Sequence, residues 1–386
     1  MRILLCIDAP ADPNGGASGT VVQTAAALRR RGHEVDCVWS DDLPHRVKHW
    51  NLHYLLELPW ALRREVARRC QGKRYDVIQV NQPFSWAAAV EHRRQRRAGV
   101  FITQTQGWEP RLTTALQPWR RRYGVPEWGF PRGLLGRPLR FALERRYARW
   151  AAVQSHGVLT SCSEDTEYIE REYSLGSGRV GTIPMGVPDP FLSSAPPPMR
   201  PERAARVLYV GQFAFFKGVH VLAEIYDRLV GAHPGISLGW CCPPEQQDEA
   251  RRLLSPEARR GVTFYPPVPQ VDLVTRYDQS GVFVFPTLAE GFGKVFLEAM
   301  ARGMLVVGSH AAGMRDVIVS GENGWTVPVG DAPAFAARIT AVLADPVLAE
   351  RVSRGAAAAA RSYTWDRTAA ESERFYLDLL ARESPT

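Results

Sequence analysis

Two acids, a lysine and two glycines fall within ten residues, Ala289-Glu290-Gly291-Phe292-Gly293-Lys294-Val295-Phe296-Leu297-Glu298. The run follows an apolar strand candidate, Val282 to Phe285, and leads into helical apolar positions at Leu297 and Met300. Gly291 and Gly293 permit close backbone approach, and the amides that open a helix can receive an anionic group. Glu290 could accept hydrogen bonds from sugar hydroxyls. Glu298, eight positions on, lies about two turns further along if the helix starts near Gly291, which would turn both acids toward one cleft. Two solvated acids at a helix start is the plain alternative.

A second loop, Gly211-Gln212-Phe213-Ala214-Phe215-Phe216-Lys217-Gly218, also follows a strand candidate. Lys217 could neutralise phosphate oxygens with help from the amino end of the next helix, although a lone loop lysine is usually solvent-facing. Gly15-Gly16 stands between a strand and a helix near the amino terminus and fits either a turn or an approach to phosphate. Neither a Gly-x-Gly-x-x-Gly fingerprint nor a Walker lysine pattern occurs, which argues against a dinucleotide dehydrogenase or an ATPase.

The elements that would carry these loops alternate strand and helix. Ile3–Ile7, Val35–Trp39, Val77–Val80 and Val158–Ser161 read as strands, with helices over 21–31, 58–69 and 87–97 between them and another over 164–173 after the last. After the proline-rich stretch 188–201 the rhythm restarts: strands at 207–210, 236–240, 262–264, 282–285 and 305–307, helices at 219–230, 245–254 and 293–302. Such alternation predicts parallel sheets with crossover helices. At 386 residues the chain exceeds a single core, so two α/β domains are expected, with the boundary in 188–201. Residues 118–150 break the pattern with interleaved arginines and aromatics. A helical hairpin packed on the first domain explains them, and contact with an anionic membrane surface or an extended acceptor is the alternative.

Composition narrows the classes. Hydrophobic residues make up 45% and charged residues 23%, which suits a globular protein. The net charge of +8 is spread widely without a recognition module, so nucleic acid is not an expected partner. Lys48, Lys73, Lys217 and Lys294 are the only lysines. Six cysteines are scattered without a CxxC pair, and Cys241-Cys242 lacks zinc-site spacing; free thiols and a cytoplasmic location, peripheral to the inner membrane face if 118–150 touches lipid, are the expectation. Neither a signal segment nor an 18-residue apolar run is seen.

Taken together, the Gly15-Gly16 loop, Arg31-Gly32-His33-Glu34-Val35, Val158-Leu159-Thr160-Ser161 leading to Ile183-Pro184-Met185-Gly186-Val187, Lys217-Gly218, Glu290 through Glu298, Gly313 and Asn323-Gly324 resemble the retaining GT-B glycosyltransferases of family 4. The Glu-x7-Glu pattern around Gly-Phe-Gly carries the resemblance; each glycine loop alone is weak. It implies an α/β GT-B fold, two Rossmann-like domains facing across a cleft, with a C-terminal helix crossing back. Residues 1–190 would bind the acceptor and 202–366 the nucleotide sugar, with 367–384 packing on the first domain.

The resemblance further implies transfer of a hexosyl or N-acetylhexosaminyl group from a UDP- or GDP-linked donor to a glycan, lipid-linked or small-molecule hydroxyl, with no metal or other cofactor required. Glu290 would hold donor-sugar hydroxyls, Glu298 the ribose, and Lys217 with the amides around Phe292, Gly293, Lys294 and Val295 the diphosphate. Gly16 would let the first domain close beside the phosphates. Three positions depart from the pattern. Gln212 stands where a phosphate-clamping arginine is common. Gln106 stands where a His-Gly loop is usual, and could position hydroxyls but not accept a proton as imidazole does. Met185 replaces an asparagine. A nucleotide-sugar epimerase and a non-catalytic nucleotide-sugar-binding partner protein are the competing readings.

Overall fold

In the first parallel sheet, buried apolar runs form strands flanked by helices on both sides, as expected for strands covered on two faces. A computed structural model describes residues 1–48, 52–82, 84–126 and 132–383, with the side chains of 132–138 not described. The chain divides into two compact units. Met1–Thr114, Gly124–Met185 and the chain from Trp365 make the first; Ala115–Tyr123 and Gly186–Thr364 make the second.

The first unit's strands are β1 (Arg2–Cys6), β2 (Glu34–Val38), β3 (Val77–Asn81), β4 (Val100–Gln104), β5 (Gly157–Thr160) and β6 (Val180–Thr182). All pair in parallel, in the order β2-β1-β3-β4-β5-β6. Succession therefore reverses between β1 and β3, the kind of switch point where open α/β sheets leave a crevice at their carboxyl ends. Its core gathers Leu4, Cys6, Ile78, Val80 and Phe101 from the strands with Leu58, Leu62 and Val66 from helix Leu58–Gly72.

The second unit repeats the plan with β7 (Arg206–Val210), β8 (Ser237–Cys241), β9 (Val262–Tyr265), β10 (Val282–Phe285), β11 (Leu305–Ser309) and β12 (Trp325–Val327). Its order, β12-β11-β10-β7-β8-β9, is the doubly wound arrangement, with the switch point between β7 and β10. Both sheets are Rossmann-like, and the fold is GT-B. After the second unit the chain returns to the first through helix Trp365–Glu383, which lies along helix Ala17–Arg30 and is tied to it by Arg30–Asp366 and Arg31–Glu373. It begins two residues before the predicted 367, and residue 384 lies outside the described residues.

One element reading changes. The first helix of the arginine-rich segment, Glu109–Tyr123, runs on through Pro118, and its end belongs to the second unit instead of forming a hairpin on the first. Aromatic packing explains the exchange: Tyr123 meets Phe215 and His220, Arg120 lies over the Phe215 ring, and Trp119 abuts Gly330. The second helix, Arg132–Gln154, stays with the first unit, where Tyr147 and Trp150 pack on Trp86. Among the described residues, no single helix is long and apolar enough to cross a membrane. All six cysteines are free, and burial raises Cys241 to about 12 and Cys242 to about 11, so both remain thiols.

Candidate functional site

β7 and β10 are parallel neighbours, so the loops leaving their carboxyl ends emerge side by side. Their backbones are sewn together. The Phe216 carbonyl accepts from the Leu288 amide at 2.8 Å, the Ala289 amide at 3.3 Å and the Thr287 hydroxyl at 2.9 Å. Across this seam the Lys217 ammonium bonds the Glu290 carboxylate, with the rings of Phe216 and Phe285 within 5.2 and 5.4 Å of the cation. Two residues separated by 73 positions thus form one ion pair at the switch point. Glu290 also accepts from the Gly291 amide.

Glu298 occupies a different environment. The helix starts at Val295, later than the predicted Gly293, which puts Glu298 in the first turn and only 4% exposed. Tyr277 donates its hydroxyl to Glu298 at 3.1 Å. Burial raises the Glu298 carboxyl above its usual range, against the pull of Lys294 and Tyr277. Burial likewise lowers the Lys294 ammonium, with Glu298 opposing. Gly293 has φ +88°, and a Cβ there would meet the Phe285 ring at 2.7 Å, so the turn between Phe292 and Lys294 requires glycine. Gly313 is needed for packing: its Cβ would strike the Phe292 ring at 2.4 Å. Gln212 is exposed, its carbonyl accepting from the Ala214 amide at 2.9 Å.

In the first unit, Gln106 donates from Nε2 to the Ala17 carbonyl at 3.0 Å, anchoring its loop to the start of helix Ala17–Arg30. Gly16 is exposed, and an added Cβ would meet nothing within 4 Å. Gly15 is the packed one, with Ser18 Oγ 2.1 Å from its would-be Cβ. Met185 is buried, and its sulfur accepts from the Thr20 hydroxyl at 3.7 Å.

Several residues that hold these loops carry no sequence signal of their own. Asp165 receives the Trp108 amide at 3.1 Å and the Arg111 guanidinium at 2.5 Å, which fixes the backbone directly after Gln106-Gly107. Gln82, at the end of β3, donates to Thr105 Oγ1, the Gly107 carbonyl and Glu109. Glu109 could have been noticed only for its closeness to Gln106. Burial pushes its carboxyl up to about 8, against its own amide and the Gln82 amide.

This shift sets a pH test. A carboxyl raised on folding binds its proton more tightly in the native state, so its stabilisation is full below the ordinary value of 4.5 and is lost as pH rises through about 8. The melting-temperature advantage of the parent over Glu109→Gln should therefore shrink between about pH 5 and about pH 9. A constant gap across that range in thermal denaturation would show that Glu109 titrates as an ordinary carboxylate.

The sewn loops, the Lys217–Glu290 pair and the two doubly wound sheets can be set beside known proteins. The model for glycosyl transferases group 1 matches residues 195–359, and that for glycosyltransferase family 4 matches 14–189. The chain belongs to the family 4, group 1 glycosyltransferases. Within that family it is 28% identical over 236 residues to glycogen synthase of Mycobacterium tuberculosis, a match covering 59% of this chain and 55% of that protein. The chain thus spans about half the length of the first curated relatives it matches. Phosphatidyl-myo-inositol mannosyltransferase of Mycobacterium leprae is 26% identical over 97% of this chain and 96% of its own. Among solved structures, sucrose-phosphate synthase from Thermosynechococcus elongatus superposes with a TM-score of 0.75 at 22% identity, covering 99% of this chain and 100% of that one. Anabaena HepE in complex with UDP gives 0.68 at 16% identity, covering 97% and 99%. These two likenesses establish the GT-B fold of this glycosyltransferase family.

Proposed function

We propose that this family 4 glycosyltransferase moves a hexosyl or N-acetylhexosaminyl group from a nucleoside-diphosphate sugar to an acceptor hydroxyl with retention at the anomeric carbon. The observation that carries the reading is the Lys217–Glu290 pair at the switch point of the second sheet, where the fold puts ligands. A UDP complex of a protein with the same fold supports the donor class. Lys217 would bind the diphosphate, and its charge gains value as the bond from anomeric carbon to phosphate oxygen breaks. Glu290 would hold sugar hydroxyls and keep the ammonium aimed. Glu298, held by Tyr277, would receive the ribose.

In the proposed step the acceptor oxygen attacks the anomeric carbon on the face the diphosphate leaves. The glycosidic bond forms as the carbon–phosphate-oxygen bond breaks, and the acceptor proton passes to the departing diphosphate. No protein nucleophile is needed. In the first unit, Gln106 would orient the acceptor or sugar hydroxyls, and Gly16 would let a phosphate approach its backbone.

The test is mass-spectrometric: the full chain is incubated with UDP-, GDP- and ADP-sugars and a panel of glycan, lipid-linked and small hydroxyl acceptors. One donor should give a transferred product, or slow donor hydrolysis without acceptor. Tight donor binding with neither outcome would favour the non-catalytic partner, and acceptor-free change of the sugar's configuration would favour the epimerase.

A further inference from the structure

Three side chains of the first unit, none of them among those proposed to hold the donor, converge. Asp8 follows β1, His45 lies in the connection after β2, and His53 opens a π-helical turn, His53–Glu57, that runs into helix Leu58–Gly72. Such turns are uncommon and recur at functional sites. Their candidate ligand atoms all lie within 4.8 Å of one another. The His45 Nε2 is 3.0 Å from Asp8 Oδ1, and the His53 Nε2 is 3.4 Å from Asp8 Oδ2.

The other nitrogen of each ring is already engaged. His45 Nδ1 lies 3.0 Å from the Leu43 carbonyl, and His53 Nδ1 lies 2.9 Å from the Glu57 carboxylate. Both partners only accept, so each Nδ1 must carry the proton, and in the neutral ring that leaves a lone pair on Nε2. The two rings stack at 4.7 Å with both Nε2 atoms turned to the same carboxylate, so a single cation placed between them would satisfy three donors at once.

We propose that Asp8, His45 and His53 form a binding site for one divalent transition-metal ion of the zinc class. His45 and His53 approach the two oxygens of the one Asp8 carboxylate at 3.0 and 3.4 Å, and one ligand atom from each residue lies within 4.8 Å of the others, so small side-chain adjustments would close them round a tetrahedral ion with bonds of about 2.0–2.1 Å. Imidazole with carboxylate suits this class of metal. Glu57 behind His53 is the carboxylate partner that orients a metal-bound imidazole, and the same carboxylate accepts the Arg46 and Val47 amides at 3.1 and 2.9 Å, which holds His45's segment in place. Asp8 and His53 are nearly enclosed while His45 is 45% exposed, so the fourth position opens to solvent and can take water or an oxygen ligand. The site is built wholly from the first unit and does not depend on the transfer reading.

The test is calorimetric titration of the chelator-treated, tag-free full chain with zinc chloride, repeated with cobalt chloride while following the visible d–d bands. One equivalent should bind with micromolar or tighter affinity, and cobalt should show the intense bands of a four-coordinate site. His45→Ala should weaken binding at least tenfold without moving the metal-free unfolding transition. Glu57→Gln should weaken it by roughly 10–100-fold, and His33→Ala should leave it unchanged. Absence of stoichiometric binding, or equal binding by the parent, His45→Ala and Asp8→Asn, would overturn the site.

Discussion

Glu290→Gln should reduce kcat/KM for transfer by about 100-fold or more while the unfolding transition stays nearly in place. The two effects separate because of where the pair sits. Lys217 and Glu290 meet at the carboxyl edge of the second sheet, each retaining some solvent access. The pair is largely buried, but exchanging carboxylate for amide keeps the shape and a hydrogen bond to the ammonium, so the loss of stability should be about 1–2 kcal/mol. In the reaction the same carboxylate has to orient sugar hydroxyls and hold the ammonium where the diphosphate develops charge, and a single preorganised contact of that kind is worth about 3–4 kcal/mol of barrier. Lys217→Ala should lose as much in turnover and more in donor affinity, because it removes the cation that Glu290 holds across the seam. The check is steady-state kinetics on the donor found by the screen, beside calorimetric melting of each variant. A collapse of folding that parallels the loss of rate would reassign the pair to structure.

Much of this arrangement was legible in the sequence, for reasons that can be located. Val282 to Phe285 and Val207 to Val210 announce buried parallel strands because both faces must be apolar, and the glycine loops that follow them mark where the chain turns. The meeting of Lys217 with Glu290 was not legible from spacing. It depends on strand order, and the reversal that makes β7 and β10 neighbours is a property of the whole unit. Helix starts slipped for local reasons. Gly293, at φ +88°, has to complete a turn before the helix can begin, which moves the start to Val295 and brings Glu298 into the first turn. Tyr277, Gln82 and Asp165 were invisible because a buried hydrogen bond leaves no periodic trace. Helix Glu109–Tyr123 runs on through Pro118, against the usual effect of proline, because Tyr123 packs on Phe215 and His220, a contact between distant segments that local pattern does not show.

The seam itself predicts a second large effect, at Gly218. This residue caps helix Val219–Ala232 with φ +73°, directly after Lys217, and an added Cβ would stand 1.8 Å from the carbonyl oxygen of Pro286. Gly218→Ala therefore meets two penalties. Left-handed geometry costs an L-residue about 1–2 kcal/mol, and the clash is backbone against β-carbon, which no rotamer relieves. A total of about 3 kcal/mol would lower the melting temperature by roughly 6–12 °C for a domain of this size. Relief can come only by parting the Lys217 loop from Pro286, and that motion breaks the three bonds to the Phe216 carbonyl and draws Lys217 from Glu290. Donor binding should fall with stability. Gly16→Ala is the informative contrast: with φ −64° and nothing within 4 Å of its Cβ, it should leave melting unchanged. If Gly16→Ala nevertheless weakens transfer, its methyl has blocked a ligand; if both variants keep full activity, neither glycine loop approaches the donor.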